Sequence, residues 1–106
     1  MTTNYRRGYE FERKVRQVLL DQGAEHVIRT AASRSPADLY AFYPPDSPLT
    51  HGLTRVHLVQ CKTDGRRLGE DDRGRLVDLA SRLRATAVLA SKGPNGRGVV
   101  FERLSA

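Results

Sequence analysis

The segment Arg55-Val-His-Leu-Val-Gln-Cys-Lys62 constrains the fold more than any other part of the chain. Read as a strand with a period of two, it puts Val56, Leu58, Gln60 and Lys62 on one face and His57, Val59 and Cys61 on the other. Gln60 and Lys62 are then neighbours on one side of a sheet. A second run, Asp38-Leu39-Tyr40-Ala41-Phe42-Tyr43, also reads as a strand and begins with a carboxylate. If Tyr43 pairs with Arg55 in an antiparallel register, Asp38 falls opposite Gln60, and an acid, an amide and a lysine meet at the strand ends.

The remaining elements follow from periodicity and punctuation. Arg6 to Gln22 is expected to be helical, with Phe11, Val15, Val18 and Leu19 on one face and Gly23 where a helix stops. Glu12 lies within about 20° of Leu19 around that helix and borders its buried face, whereas Glu10 turns to solvent. His26-Val-Ile-Arg29 reads as a first strand, followed by a small-residue loop carrying Ser33 and Arg34. Pro44, Pro45, Pro48 and Gly52 mark a connection that is long for a hairpin. A basic loop with Arg66 and Arg67 leads to a second helix, Glu70 to Arg84. Asp71 and Asp72 lie in its first turn, where they favour the helix dipole, and Leu76, Leu79, Ala80 and Leu83 form its apolar face. Ala87 to Ala90 and Val99 to Leu104 are the last two strands, joined by the turn Lys92 to Gly98. The order αβββαββ predicts one α/β domain over residues 1–106, with helices flanking a mixed central β-sheet.

Charge narrows the partners. Eighteen Lys and Arg against twelve acids give a net +6, mostly from arginine, whose planar fork of donors suits phosphate. That balance favours a nucleic-acid partner. A lone cysteine, Cys61, excludes an internal disulfide and fits a reducing compartment. No apolar run is long enough for a membrane span and no signal-peptide pattern opens the chain, so the expectation is a soluble, cytoplasmic protein.

Hydrolysis of a phosphodiester needs a divalent ion held by oxygen ligands, an activated water and positive charge for the developing negative charge. Asp38 can supply a carboxylate, Gln60 a side-chain oxygen and Cys61 its backbone carbonyl, with Glu12 reaching in from the helix edge; Lys62 can orient or deprotonate the water, or stabilise the transition state. Taken singly, each of these residues also fits a turn or a solvated surface. Their coincidence carries the reading, because polar groups on apolar segments need partners and a metal provides one. Rival chemistries lack their patterns. His26, His51 and His57 have no metal-ligand spacing, the Lys92 to Gly98 turn is not a phosphate-binding P-loop, no nucleophile elbow surrounds Ser33, and Cys61 faces away from Gln60 and Lys62.

An Asp, then Glu or Gln, any residue and Lys, after a helix bearing Glu, resembles the PD-(D/E)xK nuclease superfamily. More narrowly, Arg6-Arg-Gly-Tyr-Glu-Phe-Glu-Arg13, Val27-Ile-Arg-Thr-Ala-Ala-Ser33, Ala37-Asp-Leu39, the Gln-Cys-Lys strand, Gly74-Arg-Leu76 and the Ala87 to Ala90 strand resemble the archaeal-type Holliday junction resolvases. The resemblance implies a restriction-endonuclease-like core and a homodimeric, Mg2+-dependent endonuclease, with Mn2+ as a possible substitute, making paired cuts in four-way DNA junctions. By position it implies Glu12, Asp38 and Gln60 on the metal side and Lys62 as the catalytic lysine. Arg13, Arg29 and Ser33 would contact phosphate, and the neighbouring Arg34, Arg66 and Arg67 would join them in DNA binding. These resolvases carry Glu where this chain has Gln60, which retains an oxygen ligand and loses a charge. Mrr-type restriction endonucleases, which use Gln there and have a similar Gly-x-x-Phe-Glu helix pattern, are the alternative; a DNA-binding module with a weakened site is a further one.

Overall fold

A computed structural model describes residues 4–30, 35–50, 53–63 and 68–104, and at 4–7 and 49 it describes the backbone. Its elements are α1 (Asn4–Asp21), β1 (His26–Arg29), β2 (Leu39–Phe42), β3 (Val56–Lys62), α2 (Glu70–Arg82), β4 (Thr86–Lys92) and β5 (Val99–Leu104), with short 3-10 turns at Pro48–Thr50 and Pro94–Gly96. This is the expected αβββαββ order. The five strands form one sheet in the order β1-β2-β3-β4-β5, in which β3 and β4 run parallel and every other neighbouring pair antiparallel. The parallel pair is the one that α2 bridges, since parallel neighbours need a crossover.

Alternation along β3 decides the layers. Val59 packs with Phe11, Val15 and Leu19 of α1, together with Val27, Leu39, Ala41 and Ala90. Its neighbour Leu58 packs with Leu76 and Ala80 of α2, together with Ala37 and Ala87. Successive strand residues point to opposite faces, so α1 covers one face of the sheet and α2 the other. Val15, Leu58, Val59 and Leu76 are fully shielded from solvent.

The helix ends show where local signals sufficed. Gly23 takes φ +111°, its N–H donates to the Leu20 carbonyl, and the Ala24 N–H donates to that of Leu19, a Schellman termination on glycine. At the end of α2 the same motif is built on an arginine. Arg84 adopts φ +54°, and the Ala85 N–H donates to the Ala80 carbonyl. This turn ends the helix at Arg82, short of the expected end at about Arg84, which the sequence does not mark with a glycine or proline. β4 extends beyond the expected Ala87 to Ala90, since Thr86 pairs with His57 of β3, and Ser91 and Lys92 with Val100 and Val99 of β5.

Candidate nuclease site

The ladder between β2 and β3 pairs Leu39 with Val59 and Phe42 with Val56, and it continues as a Tyr43 N–H to Arg55 carbonyl bond at one end. Extended one step the other way, this register sets Asp38 beside Gln60, as the alternation implied. Asp38 is held at three points. Its N–H donates to the Val59 carbonyl at 2.8 Å, its carbonyl accepts from the Thr30 N–H at 2.9 Å, and its Oδ2 accepts from the Cys61 N–H at 2.8 Å. Ala37, just before it, is fully buried and accepts from the Thr30 hydroxyl at 2.7 Å. Asp38 thus precedes β2 as a side-chain extension of the ladder, and the expected strand is one residue shorter at each end.

Burial pushes the Asp38 carboxyl above its ordinary pKa; the Cys61 N–H pulls it down, Glu12 pushes it up, and Arg29 and Lys62 pull it down. Among the described residues its Oδ1 makes no hydrogen bond. A partly desolvated carboxylate with one oxygen uncommitted could accept a cation. Gln60 is half-buried beside it, and Lys62, two residues on along the same face, lies within electrostatic reach of Asp38. Cys61 points to the α1 side, where burial and the nearby Asp38 and Glu12 charges push its thiol pKa up, which disfavours the nucleophilic thiolate.

Glu12 approaches from α1 but is already engaged. Its Oε2 accepts from Arg29 Nε at 2.6 Å, with the Glu12 side chain 16% and the Arg29 side chain 40% exposed. The Arg29 guanidinium also lies 4.8 Å from the Tyr9 ring centre, and that of Arg13 lies 5.9 Å from it. Two of the expected phosphate-contacting arginines therefore share one aromatic platform. Sequence periodicity gave no sign of Tyr9 in this role. Ser33, Arg34, Arg66 and Arg67 lie outside the described residues.

A cleft of about 330 Å³ opens at the strand ends, lined by Ser35, Pro36, Asp38, Gln60, Asp72 and Arg75. Ser35, Asp72 and Arg75 were not among the expected site residues. Ser35 Oγ lies 3.2 Å from the Tyr40 hydroxyl and accepts from the Ala37 N–H, which shapes the turn before Asp38. The described residues contain no group of three His, Cys, Asp or Glu side chains able to hold an ion. The donor set is instead acid plus amide, with Glu12 and a backbone carbonyl near. Hard oxygen donors around a desolvated carboxylate fit a divalent metal ion.

An α/β sheet with an acid, an amide and a lysine at the ends of two adjacent strands, and a helix glutamate near, is compatible with a metal-dependent nuclease core. A model of the archaeal Holliday junction resolvase (Hjc) family matches residues 3–105. The chain belongs to that family, and its function is that of a junction-resolving nuclease with a dependence on divalent metal. Its fold is similar to that of the Hjc Holliday junction resolvase of Archaeoglobus fulgidus, with a TM-score of 0.70 and 23% identity over 92% of this chain and 72% of that one. A search of curated proteins found no match. No described helix is long and apolar enough to cross a membrane.

Proposed function

We propose that residues 1–106 act as a single Mg2+-dependent endonuclease domain, working inside the cell as a homodimer whose two-fold symmetry presents two sites to a four-way junction for paired cuts. The observation that carries this reading is the three-point anchoring of Asp38 beside Gln60, with Lys62 on the same strand face. Asp38, the Gln60 side-chain oxygen and the Cys61 carbonyl would hold the ion, with Glu12 completing the set directly or through water. When bound, the ion supplies charge neutralisation at the phosphoryl oxygens and lowers the pKa of a bound water. Lys62, if neutral, would take a proton from the attacking water, or, if charged, would orient that water and offset the negative charge that develops at phosphorus. Arg29, steadied between Glu12 and Tyr9, and Arg13 on the same platform position the phosphate backbone. Mn2+, which accepts the same oxygen donors, would substitute for Mg2+.

Incubating the protein in Mg2+ with an end-labelled four-way junction and with a linear duplex of the same sequence tests this reading. The expected result is paired nicks in opposing strands of the junction and little cutting of the duplex. Equal cutting of both substrates would remove junction selectivity, and single nicks without a partner would remove the two-site dimer.

Gln60 supports a second prediction about the metal. Its amide offers a neutral oxygen beside Asp38, so Gln60→Glu adds one negative charge to the donor set. The Mg2+ concentration giving half-maximal cleavage should fall severalfold in this variant, because a charged ligand holds a hard cation more tightly. An unchanged metal titration would show that Gln60 is not a ligand.

A further inference from the structure

The cleft that holds Asp38 and Gln60 has a second wall, formed by Asp72 and Arg75 of α2. That wall is fixed while its side chains are accessible. Leu76, adjacent to Arg75, is fully buried, and Ala80 one turn later is 3% exposed, both packed against Leu58, Ala37 and Ala87. Asp72 and Arg75 themselves are exposed, and among the described residues neither makes an ion pair.

Arg29 and Arg75 belong to opposite faces of the sheet. Arg29 ends β1 and is held by Tyr9 and Glu12 of α1, whereas α2 covers the face shared by Leu58. The strand ends bearing Asp38 and Gln60 thus lie between an arginine on the α1 side and another on the α2 side. A phosphodiester backbone crossing those strand ends meets a guanidinium on each flank.

We infer that Arg75 is a substrate-binding residue of this site, contacting a phosphate of the cleaved strand from the α2 side as Arg29 does from the α1 side; this rests on the nuclease reading above. Asp72, at i−3 from Arg75 and so its neighbour on the helix surface, places a negative charge on the same wall. Removing Arg75 and removing the Asp72 charge should therefore change DNA affinity in opposite directions. Arg82 supplies a control, since it lies on the same helix outside the cleft and pairs with Asp78 at 3.3 Å.

The test is equilibrium binding of a fluorescent four-way junction in EDTA over a salt series. Wild type, Arg75→Ala, Arg75→Lys, Asp72→Asn and Arg82→Ala are compared, with circular dichroism melts to check folding. Arg75→Ala should weaken binding by roughly five- to tenfold, the net worth of about one ordinary hydrogen bond at an exposed side chain. It should also reduce the slope of log K against log salt by about 1, as loss of one phosphate contact requires. Arg75→Lys should restore the slope, Asp72→Asn should tighten binding, and Arg82→Ala should stay within about twofold of wild type. Equal weakening by Arg75→Ala and Arg82→Ala would reduce the effect to net charge and overturn the inference, as would weaker binding by Asp72→Asn. Cleavage by wild type in Mg2+ separates the two readings. An inactive wild type with the expected binding pattern removes the nuclease reading alone; an active wild type matched in binding and cutting by Arg75→Ala removes the Arg75 inference alone.

Discussion

Asp38→Asn is expected to abolish cleavage and, in the same protein, to raise the thermal midpoint of the metal-free chain at neutral pH. Both effects follow from one carboxylate. Asn retains an oxygen to accept the Cys61 N–H, so the anchoring of the β2–β3 junction survives. What the substitution removes is a charge that burial disfavours. Because burial raises the folded-state pKa above the ordinary carboxyl value of 3.8, the ionised form costs stability. The sign follows: a raised carboxyl contributes most below its unfolded pKa, and that contribution is lost as pH rises through the folded pKa. At pH 7 wild type carries the full cost of the buried charge and Asn carries none of it, so the variant should melt at a higher temperature. As the pH falls through the raised carboxyl pKa, the gap should close. Melts of both proteins at pH 7 and near pH 4, without metal, check this. A less stable Asn variant at pH 7 would mean that the carboxylate is compensated within the fold and has no need of a cation.

Lys62→Ala is expected to lower the cleavage rate by about 10²- to 10³-fold while junction affinity changes by less than about threefold. The asymmetry is expected because binding draws on a net +6 chain with arginines on both helices, whereas in the proposed site the reacting phosphate would meet Lys62 at the end of β3 beside Gln60. Lys62 is a compact point charge without the bidentate fork by which an arginine grips phosphate, so its share of the affinity is small. In the proposed site the same charge beside Asp38 would be a large part of the transition-state stabilisation. Single-turnover cleavage and anisotropy binding measured on one preparation separate the two terms. Cutting within threefold of wild type would remove Lys62 from the chemistry. Loss of cutting with binding retained would also rule out a pure DNA-binding module, since such a module has no cleavage to lose.

Much of the site was legible because it depends on alternation and register. Once Val56 to Lys62 is a strand, Gln60 and Lys62 share a face; once Tyr43 faces Arg55, Asp38 lies beside Gln60. Both conditions hold in the fold. The glycine that stops α1 was legible for a local reason, as a left-handed residue costs least there. The end of α2 was not. Arg84 accepts the same left-handed geometry, and arginine carries no local signal for it.

Two features needed the folded chain. The Glu12–Arg29 pair joins residues 17 apart, from a helix border and a strand end, with Tyr9 beneath the guanidinium. Neither periodicity nor spacing encodes that meeting, and it turns an expected metal residue and an expected phosphate residue into partners of one another. The second is the α2 wall. Asp72 read as a dipole-favouring acid at a helix start, and Arg75 entered only within the Gly74-Arg-Leu76 stretch that carries the resemblance, because a helix's own pattern says which face is apolar and nothing about what its polar edge overlooks. The sequence by itself determined the strands, their faces and the acid-amide-lysine set, since those follow from local geometry with a period of two. The tertiary structure decided which charges surround that set, because the positions of α1 and α2 on opposite faces are settled by the burial of Val59 and Leu58, and every charge at a helix edge goes where that packing carries it.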